Sequence, residues 1–379
     1  MIATQPQIDD VTLRAVGRLA TRTTPPHEDA SHDMVIQALG ALLGVPVTSP
    51  ARASDGAVNE IHAQGRVYLV PTDTLIAGAQ TDALRIRGVA HLFGGVVPFP
   101  FVATKAITHP LVGAHAVAPL GWSDAFSKHV EHAVLEGWSV FSEVDAIEAC
   151  TRLLEHGPAR VKPVHGRAGR GQSVVRSIEE LAPVMAMIDP DELTQCGLVL
   201  ETHLEDVVTF SVGHVEVGGV TASYVGTQCL TPDNDGELVY GGSTLHVVRG
   251  GLENLLSQNL SADDRRAVEQ ARAYDTAAMA CYPGLIASRR NYDMVTGTDA
   301  KGQAASGVLE QSWRIGGASG AELAALLAFR DDPSLNEVRA STVERYGASH
   351  RAPADARIAF EGDDAECGPM IKYVTIERL

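Results

Sequence analysis

In Val308-Leu309-Glu310-Gln311-Ser312-Trp313-Arg314-Ile315-Gly316-Gly317-Ala318-Ser319-Gly320, a carboxylate, a hydroxyl and a guanidinium occupy alternate positions: Glu310, Ser312 and Arg314. On a strand these three share one face. Oxygen donors beside a guanidinium suit Mg²⁺ together with phosphate oxygens. The Gly316-Gly317-Ala318-Ser319 turn then opens a helix expected from Gly320 to Phe329, whose N-terminus can hold an anion. Upstream, Arg289-Arg290-Asn291-Tyr292-Asp293 falls on a strand predicted over 285–295, joined to one over 307–312 by a turn at Gly297-Thr298-Asp299. Pairing the two sets Asp293 beside Glu310, and adjacent carboxylates repel unless a cation sits between them. Arg289 and Arg290 alternate, so one of them faces this site. We assign Arg290 to that face, as a group able to hold a substrate carboxylate.

The second informative stretch is Ala159-Arg160-Val161-Lys162-Pro163-Val164-His165-Gly166-Arg167-Ala168-Gly169-Arg170-Gly171-Gln172-Ser173. From Gly157 to Ser177 there is no Asp or Glu but five Lys or Arg, where composition gives about 1.7 over such a length. A cationic glycine-rich loop in an acidic chain points to a polyanion, since glycines such as Gly169 and Gly171 let backbone N–H groups approach phosphate closely. Lys162 adds a point charge from the strand before the loop, and His165 lies in the loop itself. The spacing is not that of a Walker A loop, because Gln172 stands where that loop needs Lys. The Gly-x-Gly-x-x-Gly dinucleotide fingerprint is also absent in this order. A lysine one strand before the loop, with a strand after it, is a flap that folds over a triphosphate.

The 379 residues are 45% hydrophobic and 20% charged, enough for two or three globular units with a large core. The net charge is −17. Duplex binding needs a surplus of Lys and Arg, so nucleic acid is not an expected partner, and neither is an anionic membrane surface. Cys150, Cys196, Cys229, Cys281 and Cys367 are odd in number and widely spaced, with no Cys-x-x-Cys. That argues against a disulfide framework and against a structural zinc site. The fourteen histidines show no His-x-x-x-His or triad spacing on one helix face, so a zinc enzyme is not expected. The chain lacks a leader pattern and an apolar run of spanning length, so a cytoplasmic protein is expected.

Around these stretches the sequence reads as mixed α/β. Arg66 to Pro71 is a buried strand, while Val96 to Val102, with Pro98 and Pro100, reads as loop or edge strand. Residues 139–201 read β-α-β-loop-β-α-β, with Ser142 capping a helix that stops at Gly157-Pro158. Beyond 205 the period changes to two, and Asp233-Asn234-Asp235-Gly236 marks a hairpin. A helix from Leu260 to Met279 is capped by Ser261, and the last thirty residues carry little pattern.

Taken in order, these pieces resemble an ATP-grasp protein, the fold of biotin carboxylase and the D-alanine ligases. The resemblance covers about residues 115–330: Lys162 with the glycine flap, Leu198-Val199-Leu200-Glu201 with Leu204 as the adenine hinge, then Asp293 and Glu310-x-Ser312-x-Arg314. The whole chain is also similar to an uncharacterised bacterial family of ATP-grasp relatives. The resemblance implies an α/β (α+β) architecture. It divides into a small N-terminal pre-ATP-grasp-like domain over 1–114, a central subdomain with the flap over 115–200, and a C-terminal subdomain with the metal strands over 201–379.

It further implies ATP and Mg²⁺ as ligands. Lys162 would bind the α/β-phosphates, Glu201 and the backbone of 202–204 the adenine, Asp293, Glu310 and Ser312 the metal, and Arg314 the transferred phosphoryl group. Ser312 stands where the family has Asn. The acid expected for the ribose falls near Val208, leaving Glu205 or Asp206 to serve. The earlier phosphate lysine would be Lys128 or Lys105. The implied reaction joins a small carboxylate to an amine through an acyl phosphate, with a homodimer as the family's usual assembly. The alternatives are an ATP-grasp kinase and a nucleotide-binding protein without turnover.

Overall fold

Parallel strands need cover on both faces and so read as near-continuous apolar runs. Arg66–Pro71 is such a run, and in the computed structural model it pairs parallel with Leu13–Ala20, which in turn pairs with Ala51–Arg52. The structure describes residues 13–48, 51–52, 66–166 and 171–379. Helix Pro26–Leu43 begins on Pro26, whose fixed φ suits the first turn, and ends at Gly44 with φ +68°. The stretch after Phe93 differs from expectation. Gly95–Val97 is the central strand of a three-stranded sheet, between Leu75–Ile76 and Ile286–Ala287. Pro98 ends it, and two 3₁₀ turns follow, Pro100–Ala103 and Lys105–Ile107. The Thr104 hydroxyl accepts from the Ala106 N–H at 3.1 Å and caps the second turn.

A four-stranded antiparallel sheet carries the flap. Its order is Gly137–Val140, Leu198–Thr202, Ala159–Pro163, Ser173–Val175. Helix Glu143–Leu154 starts where expected, with Ser142 Oγ accepting from the Asp145 N–H at 3.2 Å. It buries Ala146, Ala149, Cys150 and Leu153 against the sheet.

The largest element is an eight-stranded antiparallel sheet. Its order is Ala304–Ser312, Arg289–Thr298, Glu205–Val217, Val220–Pro232, Leu238–Arg249, Glu337–Tyr346, Gly368–Arg378, Arg357–Asp364. The weakly patterned C-terminus therefore forms two full strands. Leu238–Arg249 is one continuous strand. One face, with Val212, Tyr292 and Met294, packs under helix Ala262–Cys281, which Ser261 caps by accepting from the Asp264 N–H. The other face, with Val215, Tyr224 and Val247, is covered by helices Pro26–Leu43 and Ser319–Asp331. On that second face the apolar cover gives way to polar residues along the strands, from Val215 to Ser211 and from Arg289 to Asp293. There the candidate site lies. No helix among the described residues is long and apolar enough to cross a membrane.

Candidate nucleotide and metal site

The strands Arg289–Thr298 and Ala304–Ser312 form the expected hairpin, its turn at Asp299 to Gln303, where the Gln303 N–H bonds the Asp299 carboxylate. The register sets Asp293 opposite Glu310 and Asn291 opposite Ser312. Alternation then puts Arg289, Asn291, Asp293, Glu310 and Ser312 on one face. Burial, and then the charge of Glu310, push the Asp293 carboxyl up to about 6. Burial acts on Glu310 in the same direction, but the ammonium of Lys105, with Lys162 and Arg314 behind it, holds its carboxyl below the usual range. Lys105 Nζ lies 2.6 Å from Glu310 Oε2 and donates to the Gly166 carbonyl at 3.2 Å, linking the N-terminal 3₁₀ turn to the base of the flap. Gln311, on the opposite parity, holds that turn in place by donating to the carbonyls of Val102 and Thr104 at 2.9 and 2.6 Å.

Lys162 and Glu201 are diagonal neighbours on paired strands of the four-stranded sheet. Lys162 Nζ donates to Glu201 Oε1 at 3.0 Å and reaches the Leu309 carbonyl at 3.4 Å. The other carboxylate oxygen of Glu201 is 3.2 Å from His109 Nε2. Lys162 is 2% exposed and Glu201 1%. Burial pulls the Lys162 ammonium below its ordinary range. Burial alone would raise Glu201, yet Lys162 and His109 outweigh it and hold the carboxyl down to about 2.

Several expected residues stand elsewhere. Lys128 is exposed on helix Asp124–Val130 and makes none of these contacts; Lys105 does. Arg290 points to the opposite face, where it pairs with Asp275 of helix Ala262–Cys281 at 2.9 Å. It has the parity of Tyr292, not of Asp293, so the residue on the site's face is Arg289. His165 is exposed and lies 4.0 Å from Glu192, away from the cluster. The Glu201 side chain is engaged by Lys162 and His109 and not held free for a base. The neighbouring hinge N–H groups of Thr202 and His203 bond the carbonyls of Glu136 and Pro158. Leu204 is buried against Leu135 and Val295. Glu205 and Asp206 are exposed. Gly169 lies outside the described residues, while Gly171 takes φ +76°, a left-handed turn that favours glycine.

Other residues of the site carried no assignment from sequence. Arg289 is buried and grips Glu322 through Nε and Nη2 at 2.7–3.1 Å, and its Nη1 donates to the carbonyls of Ser312 and Arg314 at 3.3 and 2.5 Å. It thereby fixes the end of strand Ala304–Ser312. Tyr224 Oη donates to Glu322 at 2.6 Å and lies 2.9 Å from Asn291 Oδ1. That position is open because residue 213 is glycine: a Cβ there would stand 2.2 Å from the Tyr224 ring. Asn291 and Gln228 both donate to Asp293 Oδ1, at 3.0 and 2.9 Å. The parity of Asn291 with Asp293 was readable in the sequence; Gln228 arrives from two strands away and left no signal. Arg314 is half-buried, with Nε 4.0 Å from Asp73 Oδ1 of the N-terminal unit.

The donors on this face are carboxylate, hydroxyl and amide oxygens, with no thiolate or imidazole among them, which fits a hard divalent cation. The two lysines and Arg314 beside them fit an anionic phosphate chain.

The chain has the ATP-grasp fold. It superposes on N5-carboxyaminoimidazole synthetase from Staphylococcus aureus with TM-score 0.53 at 10% identity, covering 96% of this chain and 93% of that one. The ADP complex of the same S. aureus enzyme gives 0.53 at 12%, with the same coverage. The ADP complex of another N5-carboxyaminoimidazole ribonucleotide synthetase gives 0.50 at 12%, covering 98% and 94%. Among curated proteins none matches. Over residues 16–374 the sequence matches a family of its own, and the chain belongs to that family, described as protein of unknown function DUF3182.

Proposed function

We propose that this chain is an ATP-grasp ligase that activates a small carboxylate with ATP and joins it to an amine, releasing ADP and phosphate. The observation that carries the reading is the register of Asp293 with Glu310, facing Lys105 and Lys162 from the neighbouring units. Magnesium bound there would screen the phosphate charge and orient the terminal phosphoryl group. Asp293 and Glu310 would hold it, with Ser312 and Asn291 beside them. Lys105 exchanges its contact with Glu310 for phosphate oxygens. Lys162 stays positioned by Glu201 and the Leu309 carbonyl and presents its remaining hydrogen to the same anion. Arg314, held next to the Gly316-Gly317 turn by its own donation to the Ile315 carbonyl at 2.9 Å, stabilises the charge that grows on the transferred group.

In the first step a carboxylate oxygen bonds to the terminal phosphorus as the bond to ADP breaks. In the second the amine attacks the acyl carbon and phosphate leaves with the electron pair. The protein contributes positioning and charge neutralisation, and ATP supplies the driving force.

Incubating the protein with MgATP, a panel of carboxylic acids and hydroxylamine tests this. An acid-dependent hydroxamate with stoichiometric ADP supports a ligase. ADP with a stable phosphorylated product and no hydroxamate would make it a kinase, and no ADP with any acid would leave nucleotide binding without turnover.

A further inference from the structure

Helix Pro26–Leu43 and the hairpin of Arg357–Asp364 with Gly368–Arg378 meet more than 330 residues apart in sequence, and three metal-binding side chains converge there. One ligand atom from each of His27, Asp364 and Cys367 lies within 4.8 Å of the other two. His27 Nδ1 is 3.1 Å from Asp364 Oδ2. That nitrogen is buried, yet it lacks a well-aligned hydrogen bond among the described residues. The Asp364 side chain has no exposure to solvent. Its Oδ1 accepts from the N–H groups of Glu366 and Cys367 at 2.9 and 3.1 Å, and Oδ2 accepts from the His27 N–H at 3.1 Å. Phe360 packs edge-on against the His27 ring and fixes its plane.

We propose that His27, Asp364 and Cys367 form a metal site for a borderline-soft divalent ion, Zn²⁺ first, clamping the N-terminal helix to the C-terminal hairpin. An imidazole nitrogen, a carboxylate oxygen and a thiolate are the donors zinc takes, with water completing the tetrahedron. Tetrahedral zinc sets such atoms about 3.3–3.6 Å apart, so the cluster closes by a shift of about 1 Å. The positive end of the helix opposes a cation, and the two anionic ligands offset it. No sequence spacing reveals the site, because its ligands come from opposite ends of the chain. It is separate from the Asp293–Glu310 pair, whose donors are all oxygen.

The test is a titration of the chelator-treated full chain with Co²⁺, read by the near-ultraviolet thiolate-to-cobalt band, followed by displacement with Zn²⁺. The expected result is one equivalent of Co²⁺ with that band. Cys367→Ser should lose the band, and His27→Ala should weaken affinity at least tenfold. Cys367→Ser leaves the backbone contacts of Asp364 intact, so its unligated melting temperature should match wild type. Zn²⁺ should raise the melting temperature of wild type alone. No thiolate band at excess Co²⁺, or an unchanged band in Cys367→Ser, would overturn the proposal and leave Asp364 as a cap on the helix.

Discussion

Two carboxylates in one site are pushed in opposite directions. Glu201 is almost fully buried and held down to about 2. Asp293 is half-buried and raised to about 6. Depth of burial predicts the reverse ranking, so the partners decide. Glu201 faces an ammonium and an imidazole; Asp293 faces another carboxylate and, among the described residues, takes neutral amide donors from Asn291 and Gln228. The four-stranded sheet thus carries a closed ion pair, and the eight-stranded sheet carries two adjacent carboxylates of which Glu310 is paired with Lys105. We read the first as framework and propose the second as the working end.

The largest effect that would break this contrast is expected from Glu201→Ala. Removing the anion leaves Lys162 buried without its partner and should cost about 3–5 kcal/mol in a urea titration. Replacing both members, Lys162→Met with Glu201→Leu, should recover most of that loss. A single variant as stable as wild type would show that the pair is not framework.

Next comes Asp293→Asn. A carboxyl whose pKa is raised on folding leaves the native state with more bound protons than the unfolded chain. Its contribution to stability therefore falls as pH rises from about 4 to about 6. Glu201 has the opposite sign: its stabilisation is present above its unfolded pKa of 4.5 and is lost as pH falls towards 2. In magnesium-free buffer at pH 7.5 the Asn variant should be more stable than wild type by about 1–2 kcal/mol, allowing for partial exposure. Added Mg²⁺ should narrow the difference. A less stable variant would mean that the two carboxylates do not repel.

The smallest effect separates two lysines. Lys105→Ala should weaken ATP binding about tenfold, the loss of one charge-assisted phosphate contact. Lys128→Ala, exposed on its helix, should change stability by less than about 0.5 kcal/mol and leave ATP affinity within twofold. Equal effects would undo the assignment of Lys105 to the cluster.

Period-two patterning made the hairpin and the pairing of Asp293 with Glu310 legible, because a strand's alternation is a local property. The same alternation held the answer for the arginines: Arg289 shares parity with Asp293, and Arg290 does not. Lys105 was not separable from Lys128 by sequence. Its place depends on Gln311 binding the carbonyls of Val102 and Thr104, a contact across more than 200 residues. The capture of the Glu201 carboxylate by Lys162 and His109 is likewise tertiary, so the hinge motif alone pointed to adenine. The C-terminal strands lack strong apolar alternation, since parts of them, Ile358 and Ile376 among them, face solvent.

The central claim is that the Asp293–Glu310 face holds the metal of a bound nucleotide. Calorimetric titration of the full chain with ATP, with and without Mg²⁺, repeated on Glu310→Ala, tests it most directly. One-site binding that requires Mg²⁺ and weakens at least tenfold in the variant is expected. Binding that is equally tight without Mg²⁺ and in Glu310→Ala would contradict it.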